Sequence, residues 1–484
     1  MADKKLIRYI VAALALAPAA ALAQDAGAVL ERAAKAMGDP KSIRYAGEGT
    51  GWTYGQAFKP GTPWPKINVH SEIRTINYET GSMRDEITLS RGEPKGGGGY
   101  PPVAQQRNDQ LVSGDYAWNV VASGPAPGPR FLADRVHQLW ITPHGVIKAA
   151  MKSQAATAKA GKGDKGLMAV AFTQPGKFSA TVFFDKDGLV ERVESRLPDP
   201  VLGETTAVTR YSDYRDYGGV KFPSRIQQSQ GGFPVLDLAV KEVQPDAPAD
   251  IQVPDNVRSA GERVTIEKVA EGVWHVAGGS HNSVAIEMKD HLVLVEAPLN
   301  DARSVAVFEE VKKLAPGKPI RYLINTHAHF DHAGGLRAAV AEGYTIVTQA
   351  GNKAYFERAF AAPDKLDPDR LAKSGGKPKL RTVGDKLVLS DGSRSIEIHR
   401  IAGGNHNDNF MMAYLPKEKL LIEADAFTPL PPNSPPPAQP NPNHLNLVAN
   451  LERLKIVPAK ILPLHGRVAP ASELYAAVNK PMPQ

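Results

Sequence analysis

Three histidines and an aspartate crowd the run Thr326-His327-Ala328-His329-Phe330-Asp331-His332-Ala333-Gly334-Gly335, which follows the apolar segment Ile320–Ile324. In an extended segment, His327 and His329 are two residues apart and point the same way, so they can bind one metal together. The chain then turns into a helix near Ala333, which aims Asp331 and His332 at a second position a few ångströms away. Gly334 and Gly335 are expected to keep side chains out of the space beside it. The chain contains no cysteine, which removes thiolate ligands, catalytic thiols and disulfides together. A metal site here must be built from imidazole and carboxylate.

A two-metal site needs further ligands from other strand ends, and three residues sit at suitable places. His406 lies in Gly403-Gly404-Asn405-His406-Asn407-Asp408-Asn409, just after the alternating strand Ser395–Ile401. Asp425 ends the run Leu420–Asp425, the second arm of a hairpin turned at Pro416–Lys419. His465 follows the strand Lys460–Leu462, in Leu462-Pro463-Leu464-His465-Gly466. A lone His or Asp at a strand end is more often structural than a ligand. Their order and shared placement at strand ends are what single them out.

The succession HxHxDH, His in a Gly-rich loop, Asp after a hairpin and His-Gly resembles the metallo-β-lactamase superfamily, over about residues 263 to 470. The resemblance implies a four-layer αββα sandwich with the site at one edge of two sheets. It implies that His327, His329 and His406 hold a first metal, that Asp331, His332 and His465 hold a second, and that Asp425 bridges both. The Asp usual in that family after an early strand is replaced here by Val295-Glu296-Ala297-Pro298. Glu296 is then either a partner that holds the histidine loop from behind or an outlier. The loop after His406 lacks the Thr-Pro-Gly of glyoxalase-like members, which argues against glutathione thioesters. Without cysteine, the lactamase subtypes with a thiolate ligand are excluded.

Nitrogen and oxygen ligands with a bridging carboxylate suit two zinc ions first, with iron or manganese as alternatives. Such a pair lowers the pKa of a shared water from near 16 toward ~7. The expected activity is that of a metal-dependent hydrolase, a metal-bridging hydroxide attacking an ester, lactam or related acyl compound. Asp331 is the expected catalytic residue, binding metal and orienting the nucleophile. The chain also lacks a Gly-x-Ser-x-Gly elbow, so no serine nucleophile competes with this reading. Two alternatives are carried: a mononuclear iron oxidoreductase of sulfur compounds on the same fold, and a non-enzymatic periplasmic binding protein. Complete second-site ligands favour the hydrolase.

Three other histidines draw attention. His281, in Gly278-Gly279-Ser280-His281-Asn282, is either a substrate contact or an exposed turn. His444 ends the Pro/Asn-rich stretch Pro429–His444, which either roofs the pocket or is an inert excursion. His399 falls inside a strand and reads as structural.

The elements around these motifs organise 484 residues, of which 42% are apolar and 23% charged. That is globular and too long for one domain. The net charge of +7 arises partly from Lys4, Lys5 and Arg8, with no basic stripe of the kind nucleic acid needs. A small-molecule substrate, and no nucleic acid, is expected. The positive start, the apolar run Tyr9–Ala20 and the small-x-small Ala21-Leu22-Ala23 predict a signal peptide over 1–23, a mature chain from Gln24 and a periplasmic or secreted location. That apolar run is shorter than the ~20 residues a membrane span needs, so no stable membrane insertion is expected after cleavage.

Residues 24–255 predict a mostly antiparallel β domain. It opens with an amphipathic helix, Asp25–Met37, whose apolar positions are Val29, Leu30, Ala33 and Met37. Strands follow at Ile67–Ile76, Phe178–Phe184 and Leu189–Leu197. Glu93–Pro102 and Gly124–Pro129 predict flexible loops, and Ala155–Gly166 a solvated linker. The hairpin Tyr211–Ile226 around Gly218-Gly219 resembles the closing hairpin of periplasmic lipoprotein-carrier domains, a half-barrel wrapped around a helix. Pro245–Pro254 marks a boundary near residue 255. Beyond it, over 256–484, strands alternate with helices in the α/β manner.

Overall fold

The computed structural model describes residues 17–97, 105–153, 157–160, 167–174, 176–432, 434–435 and 437–483. Most of the expected leader lies outside these residues, as do parts of the stretches Glu93–Pro102 and Ala155–Gly166. Among the described residues no helix is long and apolar enough to cross a membrane.

The N-terminal half is one antiparallel sheet of 13 strands. Its first strand, Ser42–Trp52, pairs with its last, Phe233–Pro245, so the two ends of the domain meet in the middle of the sheet. On one side of this pair the sheet continues through Lys66–Asn77, Ser82–Arg91, Gln106–Ser113, Tyr116–Val121 and Gly124–Pro127. On the other it runs through Lys221–Gln230, Gly203–Asp216, Val190–Asp199, Phe178–Phe184, Met168–Gln174 and Thr157–Ala160. Phe178–Phe184 shows the strict inward alternation of a half-buried strand. The helix Ala17–Met37 packs Val29, Leu30, Ala33 and Met37 against this sheet, joined by helices Leu132–Trp140 and Pro143–Lys152.

The sheet must curl. Gln110 and Leu197 sit on strands with six others between them, yet both line one cavity of about 630 Å³. In a flat sheet those strands would be roughly 34 Å apart. The half-barrel around helices is therefore present, and part of its inner face is left open.

Two segments read as loops are strands. Gly124–Pro127 pairs with Tyr116–Val121, and its prolines are tolerated because it is the edge of the sheet, where outward N–H groups have no ladder to serve. Thr157–Ala160 forms the opposite edge against Met168–Gln174.

The Pro/Asp-rich segment after Pro245 runs back over the N-terminal sheet. A short helix, Asp255–Arg258, buries Val257 beside Leu111 and Trp118. The second domain starts its first strand at Thr265–Ala270. It has a seven-stranded sheet running in order from Thr265–Ala270 to Lys379–Val383, and a six-stranded sheet from Lys386–Ser390 to Ala469–Pro470. Val284, Ile286, Val293 and Val295 meet Ile396, Ile398, Met411 and Ile422 between the sheets. Helices Asp301–Leu314, Leu336–Ala341 and Lys353–Ala361 bury Val307, Phe308, Leu336 and Phe356 on the outer face of the first sheet. Helices Pro442–Leu454 and Ala471–Ala477 bury Leu447, Leu451 and Leu474 on the second. The layers run αββα.

Candidate metal centre at the junction of two domains

The strand Ile320–Ile324 is buried and parallel to both Leu292–Val295 and Thr345–Gln349. Its hydrogen-bonding ends just where the histidine motif begins. Asn325 Nδ2 donates to His327 O at 2.6 Å, and the four-residue helix Phe330–Ala333 turns the chain immediately after His329. Glu296 secures this loop from behind. It is fully buried, stands in the left-handed region at φ +69°, and accepts a hydrogen bond from Thr326 N at 2.5 Å. Its other oxygen lies 3.6 Å from His332 Nδ1. Of the two readings of Glu296, this geometry favours the partner that holds the histidine loop.

The expected ligands converge. His327 Nε2 and His406 Nε2 are 3.1 Å apart, and the His329 ring centroid is 4.5 Å from each of the other two. His332 Nε2 and His465 Nε2 are 3.0 Å apart. Asp425 stands between the groups, with Oδ2 at 2.9 Å from His332, 3.4 Å from His406 and 3.5 Å from His327, and Oδ1 at 3.2 Å from His465. Its turn is held by Glu423, which accepts from Ala426 N at 3.0 Å and Phe427 N at 2.9 Å. Burial pushes the Glu423 carboxyl well above its ordinary range.

The donor chemistry fits metal ions. His329 Nε2 donates to Ala57 O at 3.1 Å, so its neutral ring carries the lone pair on Nδ1, a buried atom with no hydrogen-bond partner. His465 Nδ1 donates to Ser280 O at 3.3 Å, which frees Nε2 toward Asp425. Burial, reinforced by neighbouring imidazoles, holds His327 well below the usual histidine range, and burial lowers His329 to about 3, so both stay neutral. Asp425 Oδ2 is buried and faces the imidazoles of His332, His406 and His327. Burial opposes the charge on Asp425, but the surrounding His332, His406 and His465 outweigh it and keep the carboxylate ionised. Buried carboxylates crowded by imidazole nitrogens form a donor set suited to cations. Among the described residues, one cluster able to hold an ion is His327, His329 and His406, a second is His281, Asp331, His332 and His465, and a third joins His327, His332 and Asp425.

His281 is thus not an exposed turn. It is buried, its ring centroid is 4.2 Å from that of His465, and its Nε2 lies 3.0 Å from Asp331 Oδ2. Burial lowers it to about 4, which leaves a neutral donor beside the second group. His444 is buried at the start of the helix Pro442–Leu454, with its ring edge-on to Phe427 at 5.0 Å, in the manner of a packing residue. His399 is buried in its strand with Nε2 2.9 Å from Glu397 Oε2, as a structural residue. The role expected of Gly334 and Gly335 is corrected. A Cβ at Gly334 would lie 2.0 Å from Leu299 O, and one at Gly335 1.9 Å from Ser304 Oγ, so these glycines admit the neighbouring loop rather than clear space beside a metal.

The sequence did not disclose that the N-terminal domain reaches this site. The segment between Trp52 and Lys66 lies across it. Gln56 Nε2 donates to Asp331 Oδ1 at 2.7 Å, and Ala57 O accepts from Asn407 Nδ2 at 3.2 Å as well as from His329. Phe330 N donates to Gly55 O at 3.1 Å, Asp408 N to Phe58 O at 2.9 Å, and Gly96 N to Asn405 O at 2.8 Å. Gly96, within the stretch read as a flexible loop, is therefore tied to the loop that carries His406. Tyr54 and Trp64 pack edge-on around the Phe330 ring, at 5.3 and 5.7 Å. Gly55 has φ +78°, and a Cβ there would sit 2.7 Å from the Phe330 ring. A Trp-Thr-Tyr-Gly-Gln run carries no signal by itself, because its partners lie hundreds of residues away.

Fold and donor set together define an αββα protein equipped to bind metal at the edge of its two sheets. Residues 276–466 match the family model of the metallo-beta-lactamase superfamily. An alkyl/aryl-sulfatase of Saccharomyces cerevisiae is 21% identical over 260 residues, which are 45% of this chain and 40% of the sulfatase. The chain thus spans about two fifths of the length of that relative. Among solved structures, a metallo-beta-lactamase from Pontibacter korlensis is 17% identical, covering 45% of this chain and 98% of its own, with a TM-score of 0.34. One from Hirschia baltica is 22% identical, covering 45% and 96%, with a TM-score of 0.33.

Proposed function

We propose that this chain is an exported, metal-dependent hydrolase that holds two metal ions, zinc by preference, and cleaves a small ester, lactam or related acyl substrate. One observation carries the reading: the Asp425 carboxylate lies within 3.5 Å of imidazole nitrogens from both histidine groups, the position of a ligand shared by two ions. His327, His329 and His406 would hold one ion, and Asp331, His332 and His465 the other, with His281 within reach of the second. Bound there, the ions would supply Lewis acidity and a water that ionises near neutral pH.

The chain's own groups do the positioning. Asp331 is gripped from both sides by Gln56 and His281, which fixes the direction of its carboxylate. Thr326 Oγ1 lies 3.0 Å from His327 Nδ1 and orients that ring, and Glu296 holds the loop beneath it. Leu299 and Phe330 line the approach to Asp331 with apolar surface, which limits the water around the reacting bond.

The test is metal analysis of the purified chain beside a panel of carboxylic esters, lactams, phosphodiesters and sulfate esters. Close to two ions per chain and chelator-sensitive hydrolysis are expected. Protein that holds no metal, or one iron with activity toward persulfides alone, would overturn the reading. The printed name of the yeast relative is the reason to include sulfate esters in the panel.

A further inference from the structure

The open inner face of the N-terminal half-barrel does not end in solvent. The cavity of about 630 Å³ is lined by both domains: Ile67, Val69, Ile87, Leu89 and Leu236 from the curled sheet, and Leu299, Phe330 and Asp331 from the metal domain. Strand register sets its long axis. Val69 pairs with Leu89, Glu72 with Ile87 and Arg74 with Asp85, so along these two strands the wall changes from apolar to charged. From Ile67 to Arg74 the strand extends roughly 20 Å.

Two kinds of group in this cavity lack partners. Arg130 stacks on Phe131, its guanidinium carbon 4.3 Å from the ring centroid, and no hydrogen bond or ion pair of it is seen among the described residues. It is half-buried and shares the cavity with Asp331. Deeper in, Gln228 Nε2 is a buried atom without a hydrogen-bond partner, on a residue 6% exposed, while Glu72 Oε1 lies 3.6 Å from Arg74 Nη2. Arg74 is already committed to Asp85 by paired hydrogen bonds of 2.5 and 2.8 Å. Native interiors rarely leave such atoms unsatisfied unless something binds them.

We propose that this chamber is the substrate-binding half of the active site, and that its occupant is an amphiphilic anion. Its apolar chain lies between Val69, Ile87, Leu89 and Leu236, and its acidic group lies against Arg130, next to the bond presented to Asp331. The N-terminal domain supplies most of the chamber's lining and with it recognition, while the C-terminal domain supplies the metal ligands. An apolar wall of this kind discriminates by chain length, since each methylene it covers adds to affinity. A guanidinium at the mouth discriminates by charge. The placement of the reacting bond rests on the hydrolase reading above; the occupancy of the chamber does not.

Calorimetric titration of the full, metal-loaded chain with octanoate, acetate and octanol tests this without requiring turnover. Octanoate is expected to bind at least ~10-fold more tightly than acetate, from its chain, and at least ~10-fold more tightly than octanol, from its charge. Arg130→Met should remove the advantage over octanol and keep the advantage over acetate. Ile87→Trp, which fills the chamber, should do the reverse. Equal affinity of the unaltered chain for octanoate and acetate would overturn the chamber without recourse to any variant. A charge preference that survives Arg130→Met would show the metals, not Arg130, reading the anion, and would overturn that assignment. Octanoate binding as expected, with no ester or lactam of any length hydrolysed, would instead sink the hydrolase reading and leave the chamber standing.

Discussion

Gln56 Nε2 of the N-terminal domain lies 2.7 Å from Asp331 Oδ1 of the metal domain, 275 positions further along the chain. His281 Nε2 lies 3.0 Å from the other carboxylate oxygen. A carboxylate held at both oxygens cannot rotate freely, so the first domain sets the direction of a residue in the second. Replacing Gln56 by Ala should lower turnover by ~10-fold or more, the usual consequence of losing a group that orients a ligand. The His327–His329–His406 ion should remain bound. Steady-state kinetics beside metal analysis would show it, and unchanged kcat would mean that the contact is idle.

Asp331→Asn keeps the shape and removes the charge. The ion held by Asp331, His332 and His465 should weaken while the other stays, and turnover should fall ~100-fold or more. Retention of two metals and full activity on every substrate would show that Asp331 is not a ligand.

Glu296 is predicted to act on the loop rather than on the substrate. Glu296→Gln keeps an acceptor for Thr326 N and should leave both metals bound. Glu296→Ala leaves that buried N–H without a partner and should destabilise the chain by about 1–3 kcal/mol. Thermal melts of the two variants should therefore separate, with Gln near the parent and Ala clearly below it.

Acid should weaken the fold through buried histidines that resist protonation. Burial lowers His137 to about 3 and His144 to about 4, both in the N-terminal domain. An unfolded histidine takes up its proton near pH 6.5. Between pH ~6.5 and ~4 the unfolded chain therefore binds more protons than the folded one, and stability falls as pH falls. Each such group contributes about 1.4 kcal/mol per pH unit within that window. Denaturant melts across it should show the slope, and His137→Gln, which can still reach Ser195 Oγ, should reduce it by about that amount.

Much of the site was legible from local pattern. The HxHxDH run, the strand before it and the helix after it are set by neighbours in the chain, and the structure brings those side chains together with His406, Asp425 and His465. The half-barrel around a helix was also foreshadowed, by alternating strands and by Val29, Leu30, Ala33 and Met37 at helical spacing. Glu296 left two readings open because its partner, Thr326 N, is a backbone group that no side-chain pattern advertises. The glycines at 334 and 335 were noticed but misread, since the atoms they accommodate, Leu299 O and Ser304 Oγ, come from a different loop.

What the sequence by itself determined is therefore the chemistry of the donors and the class of fold, because ligand type and hydrophobic period are properties of short windows. The company those donors keep comes instead from long-range packing. Gln56, Ala57 and Gly96 have no motif to announce them, and they meet Asp331, His329 and Asn405 through contacts that span hundreds of residues. Pro245–Pro254 marks only a boundary between two domains. In the folded chain, backbone hydrogen bonds and the Tyr54–Trp64–Phe330 cluster close the domains over the candidate metal centre. Such pairing depends on where two folded surfaces meet, and no local periodicity encodes that.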